Sequence, residues 1–420
     1  MICDSLLDEV TNFYLKSEDY NGISVASLVA RHGEAKVRTC LFRLIDEGLV
    51  SVVFGDYHPN PHIRALPSEP TIEQRQKLDT QLFQQACVYP NTKHLTQLID
   101  RTAFTDRPFE LCLALGEPQL TYKSFDLSVL ETYRNDPRYY NSYDDIRGLI
   151  SAKNEFFETG RMRTADQVLL ESFGFSFDQD KNIYVAAFLR YLSSLSPEHQ
   201  LVWASKQVSA KTQLHPDYFR ASIMGRWPDR LSLYQAVLLE MKTANEICAA
   251  IGREPIFRDD FAESRRPREF GYLLRPTLKE YNEFVHLLDK MLSENINLKS
   301  FSNDVPLASE EQRSDGKMVV RPKGTIQLLS DWLRAKFKTD DWSEIEKMLQ
   351  TLREIRSARH KPAHSIGEDK FDQRYVREQL ELMKRVYSAV KILRVVLALH
   401  PAASGITVCR ELEEGLVWSV

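Results

Sequence analysis

The chain has 420 residues, 43% of them hydrophobic and 27% charged, with a formal net charge of -4. That length and composition suit a globular protein of two or three domains. The acidic balance excludes a uniformly basic nucleic-acid coat, so any phosphate binding has to come from a local patch. Six cysteines, Cys3, Cys40, Cys87, Cys112, Cys248 and Cys409, are scattered without a C-x-x-C pair or zinc-type spacing, which predicts a reducing compartment and no structural zinc. The start "MICDSLLDEV" is acidic where a signal peptide would be basic, and the most apolar run, "VYSAVKILRVVLALHPAA", is interrupted by Lys391 and Arg394. No membrane span is expected, and a cytoplasmic location is.

Residues 5–66 read as three short helices and a hairpin. "SLLDEVTNFYL" puts Leu6, Leu7, Val10, Phe13 and Tyr14 on one helical face; Ser24 caps "VASLVARHG", which ends at Gly33. "EAKVRTCLFRLIDEG" has Val37, Leu41, Leu44 and Ile45 at core spacing and stops at Gly48. "LVSVVF" and "HIRAL" read as two strands around the turn-rich "GDYHPNP". This order resembles a winged helix over residues 1–70. The resemblance implies that the third helix enters a nucleic-acid groove through Lys36, Arg38 and Arg43 while the wing brings His58 or Arg64 to the backbone. Glu34, Asp46 and Glu47 leave that helix close to neutral, so docking to a protein is the other reading.

The middle region, 71–270, reads as mixed but mostly helical. "PFELCLALGEPQLTYKSFDL" suggests strand, turn and strand, whereas "NIYVAAFLRYLSSL" and "RLSLYQAVLLEMKTANEICAAIG" carry helical spacing. In "ETYRNDPRYYNSYDD", Tyr133, Tyr139, Tyr140 and Tyr143 interleave with Arg134 and Arg138, a mixture that stacks unpaired bases or simply fills a surface between helices. His199 and His215, beside acids or prolines at helix starts, read as structural.

Four strongly periodic helices follow: "TLKEYNEFVHLLDKMLSENINL", "GTIQLLSDWLRAKF", "DDWSEIEKMLQTLREIRSAR" and "RYVREQLELMKRVYSAVKILRVVLAL". The loop "SNDVPLASEEQRSDGKMVVRPKG" between the first two is long and polar, hence mobile or an insertion. At the end of the third helix, "RSARHKPAH" gathers Arg356, Arg359, His360, Lys361 and His364, more cations than a helix end needs. Pro362 is expected to break the helix there, and a kink at it would bring Arg359 and His364 into one turn. This placement resembles the HEPN superfamily, helical bundles with an arginine, four to six residues and a histidine at the end of the third helix. Arg353 with His360 and Arg394 with His400 share the spacing, but only Arg359 and His364 also have the polar neighbour, His360, and the proline-broken turn.

The fold expected is thus mainly α: a winged helix at 1–70, a mixed, mostly helical middle region at 71–270, a four- or five-helix HEPN-like bundle at 271–402 and a tail at 403–420. The resemblance implies a metal-independent endoribonuclease, of toxin or antiphage type. In it Arg359, His364 and His360 are catalytic, and Arg356, Lys361 and Arg353 hold RNA beside the contacts of Lys36, Arg38 and Arg43. No phosphate-cradling glycine loop, metal-ligand set or nucleophile elbow is visible, so no cofactor is expected. A single bundle has one such histidine, so the resemblance implies a homodimer. The apolar stripe of the last helix, widened by Leu382, Ile392, Val395 and Leu399, supports the pairing. The other function class is a non-catalytic winged-helix regulator that uses the bundle only to dimerise.

Overall fold

The computed structural model describes residues 2–80, 83–226, 229–261, 265–312, 318–360 and 368–418. It divides into two compact units, Met1–Pro228 and Asp229–Val420. The expectation of a mainly α fold is overturned: the structure is 51% helical and 14% strand, and the described residues form three sheets, the largest an antiparallel sheet of six strands. The fold is mixed α and β.

The first unit opens with α1 (Ile2–Lys16), β1 (Ile23–Ser24), α2 (Val25–His32), α3 (Glu34–Asp46) and β2 (Val50–Val53). Ser24 caps α2 by accepting from the Ser27 N–H at 3.1 Å. Gly33 and Gly48 take positive φ after α2 and α3, where a side chain would be strained. Val10, Leu28, Val37, Leu41, Leu44 and Val88 make one apolar core. The strand expected at 62–66 does not form. The chain instead adds α4 (Thr71–Leu78) and returns as β3 (Cys87–Pro90), which lies between β1 and β2 and takes their hydrogen bonds. Cys3 and Cys40 are joined by a disulfide between α1 and α3, Cα–Cα 5.1 Å, against the expectation of a fully reduced set. Their separation of 37 residues carries no spacing signature.

Short helices α5 (Thr92–Leu98) and α6 (Pro108–Ala114) precede β4 (Tyr122–Phe125), so the expected strand over "PFELCLA" is a helix with proline at its first turn. The large sheet is then built from β5 (Tyr139–Tyr143), β6 (Arg147–Ala152), β7 (Leu169–Phe177) and β8 (Ile183–Phe188) in the order β4-β8-β7-β6-β5, with β9 (Gln213–Leu214) on β7. Leu170, Phe173 and Phe175 of β7 are fully buried. Two glycines let aromatic rings approach this sheet. A Cβ on Gly174 would lie 2.2 Å from the Tyr218 ring, and one on Gly148 2.4 Å from the Phe173 ring. Helices α7 (Glu131–Asn135), α8 (Asn154–Phe157), α9 (Leu189–Ser193), α10 (Pro197–Ser205) and α11 (Pro216–Met224) fill the connections.

His215 caps α11: its Nδ1 accepts from the Asp217 N–H at 3.2 Å, and burial lowers its pKa from 6.5 to about 4. The unfolded chain takes up this proton near 6.5 and the folded one resists it, so the contribution is complete above pH 6.5 and is lost as pH falls toward 4. The loss amounts to roughly 3 kcal/mol. Urea unfolding at pH 7.5 and 5 should show about 2 kcal/mol of it, and His215→Asn, which keeps an Nδ1-like acceptor but does not titrate, should flatten it. A pH dependence unchanged in that variant would contradict the assignment.

The second unit holds α12 (Leu233–Ala250), α13 (Leu278–Met291), a hairpin of β10 (Ala308–Gln312) and β11 (Met318–Pro322), then α14 (Thr325–Lys336), α15 (Ser343–His360), α16 (Arg374–Ala398) and α17 (Arg410–Glu413). The hairpin replaces the loop expected at this point. Helix α16 packs along α12 on one side and α15 on the other. Leu382, Met383, Val386, Val390, Leu393 and Leu397 are buried as a result, while Val395 and Leu399 stay exposed. The centre of the α16 stripe is therefore covered within the chain, whereas of the residues that widen it Leu382 is buried, Ile392 half-buried and Val395 and Leu399 exposed.

Candidate functional site

Helix α15 explains why its cations gather at one end. Asp341 accepts from the Ser343 N–H at 2.8 Å, and Glu344 and Glu346 favour the positive N-terminus. Ile345, Met348, Leu349, Leu352 and Ile355 recur at three- and four-residue steps and are buried. One step beyond this stripe, Arg356 and Arg359 reach α13.

There they meet Asp289, whose side chain is 0% exposed. Arg356 Nε donates to Asp289 Oδ1 at 3.0 Å and Arg359 Nη1 to Oδ2 at 2.8 Å; Arg359 Nη1 also bonds to Glu294. These bonds push the Arg359 pKa up, so the guanidinium stays charged. Among the described residues nothing binds Arg359 Nε or Nη2, and the side chain is 28% exposed. One end of the fork is anchored, and among the described residues the two-donor edge that fits phosphate oxygens carries no bond. Asp289 and Glu294 were missed from the sequence. The signal was an acid in "FVHLLDKML", four residues after the buried Val285, where the stripe calls for an apolar side chain.

His360 is the last residue of α15, and Lys361 and His364 lie outside the described residues. Arg353 is exposed on the same helix, 3.6 Å from Glu346. The competing pair of Arg394 and His400 is structural at its arginine: Arg394 makes two bonds to the buried Glu240, at 2.7 and 3.1 Å.

The remaining candidates are dispersed. On α3, Lys36 is exposed and has no ion pair among the described residues, but Arg43 pairs with Glu47 at 2.8 Å. Arg38 pairs with Glu34 at 3.0 Å, bonds to the Leu78 carbonyl and lies over the Phe83 ring at 4.1 Å. Arg64, expected in the wing, is buried, with its guanidinium 5.3 Å from the Tyr89 ring and bonded to the Gly116 carbonyl. His58 is half-buried and bonds within its own turn. The tyrosine cluster is core: Tyr133, Tyr139 and Tyr143 are buried, with Tyr133 Oη 2.7 Å from His199 Nδ1 and taking a bond from Trp203 at 3.0 Å. Arg138 is held by Asp136, and only Tyr140 is exposed to stack on anything.

Comparison with known protein families, with curated proteins and with solved structures finds no match to this chain. No helix among the described residues is long and apolar enough to cross a membrane.

Proposed function

We propose that the chain is a metal-independent endoribonuclease of HEPN type, acting on RNA in the cytoplasm as a toxin or antiphage effector. The supporting observation is the Nε/Nη2 edge of Arg359, unbonded among the described residues, with its Nη1 held by Asp289 and Glu294 at the end of α15. RNA carries its own nucleophile. The 2′-hydroxyl attacks the adjacent phosphorus as His364 takes its proton; the bond to the 5′-oxygen breaks, and a second acid delivers a proton there. The products are a 2′,3′-cyclic phosphate and a 5′-hydroxyl. Arg359 neutralises the charge that builds on the phosphate, and Arg356, Lys361 and Arg353 hold the flanking strand. His360 is the polar neighbour of the pair.

One histidine cannot be base and acid in the same step, so the reading includes a homodimer in which each copy supplies one. Light scattering on active protein tests this: the expected mass is about twice the 48.6 kDa of one chain. A monomer that still cleaves RNA would exclude the shared site.

The first sheet module fits docking to a protein better than reading a duplex, because Arg38 and Arg43 are already neutralised by carboxylates. Joint Lys36→Glu and Arg43→Glu replacement should leave RNA affinity and its salt slope unchanged. A slope reduced by about one to two would mean that this helix touches phosphate. If no RNA is cut under any condition, the non-catalytic regulator remains.

A further inference from the structure

We propose that the cup at the turn between α14 and α15 is a base-stacking subsite for single-stranded RNA. The cup is a shallow depression open to solvent, lined by Arg334, Phe337, Lys338, Thr339, Asp340 and Trp342. Its lining is mostly polar, with two aromatic side chains, Phe337 and Trp342, set into it. The rings of Phe337 and Trp342 meet edge to face, centroids 6.3 Å apart at 84°, and the Arg334 guanidinium lies 5.1 Å from the Trp342 centroid. A planar base fits beside such rings or against the guanidinium plane, and stacking is indifferent to base identity. The turn is fixed by its own bonds: Asp341 N–H donates to Thr339 Oγ1 at 3.2 Å, and Thr339 Oγ1–H to the Asp341 carbonyl at 3.1 Å.

The charges sort the strand. Lys338 is exposed and has no ion pair among the described residues, so it can meet the phosphate next to a seated base. In the lining Asp340 offsets Lys338 and Arg334 is already paired with Glu346, so the depression itself is close to neutral and suits an uncharged base. Glu346 also ties the cup to the candidate site, because it accepts from Arg334 at 2.5 Å and lies 3.6 Å from Arg353. From Ser343 to Arg359 the helix rises about 24 Å, so a strand laid along α15 reaches the cup several nucleotides from the phosphate at Arg359.

The choice of strand rests on the ribonuclease reading, but the test does not need cleavage. Full-length protein in EDTA is titrated with a cytidine RNA hexamer, with a self-complementary RNA duplex and with cytidine monophosphate, using a labelled strand or tryptophan fluorescence. Trp342→Ala should weaken hexamer binding about tenfold, the size of one lost stack. Trp342→Phe should restore it to within about threefold, and duplex binding should not change. Hexamer affinity equal in wild type and Trp342→Ala would overturn the subsite, whether or not RNA is cut. Cytidine monophosphate binding as tightly as the hexamer would overturn the strand assignment in favour of a free nucleotide. Trp342-dependent binding in a protein that never cleaves RNA would sink the ribonuclease reading and leave the subsite standing.

Discussion

Replacing Arg394 by alanine is expected to destabilise the second unit by about 3–5 kcal/mol, which is a large part of the stability of an ordinary domain. Arg394 on α16 and Glu240 on α12 exchange two bonds, with side chains 8% and 0% exposed. Truncating the arginine leaves the carboxylate buried and uncompensated, and that desolvation sets the size of the effect. The joint change Glu240→Leu with Arg394→Met removes both charges at similar volume and should cost far less. Denaturant midpoints of the three proteins check this. A single variant within about 1 kcal/mol of wild type would mean that water reaches the pair. The same helices carry α15, since α16 packs along it, so the loss should also blur the position of Arg359.

Arg359→Ala should lower the rate of RNA cleavage by a factor on the order of 10² to 10³, because the group that meets the charge on the phosphate is gone. Arg359→Lys should recover little. An ammonium that keeps its bonds to Asp289 and Glu294 has no second edge to offer, whereas the guanidinium can be anchored through Nη1 and still present Nε and Nη2. Single-turnover rates with the melting temperature of each variant separate this from unfolding. Recovery by lysine to near the wild-type rate would show that charge alone is needed.

The helices of the second unit were legible because each repeats its apolar residues over several turns: "TLKEYNEFVHLLDKML" became α13, which Thr277 caps by accepting from the Glu280 N–H at 3.2 Å. The large sheet was not. In "NIYVAAFLRYLSSL" a strand runs straight into the helix α9 with no glycine or proline between them, and a continuous apolar run fits both periods. Both of its partners, β4 and β7, precede it in the sequence, β4 by about sixty residues, and the register of Gly174 against Ala186 follows from packing rather than local preference. The strand expected at 62–66 alternates correctly, yet 87–90 fills the place beside β2. At the candidate site the arginines of one helix end could be grouped by spacing alone. Their anchor could not, because Asp289 is 67 residues from Arg356 and is brought to it only by the pairing of α13 with α15.

The central claim is tested most directly by incubating the purified chain with mixed cellular RNA in excess EDTA and determining the chemistry of the new ends, with Arg359→Ala and His364→Ala alongside. Fragments ending in 2′,3′-cyclic phosphate and 5′-hydroxyl are expected from the wild type, with a loss on the order of 10² or more in either variant. Equal cleavage by all three proteins, or intact RNA with every one of them, would contradict it.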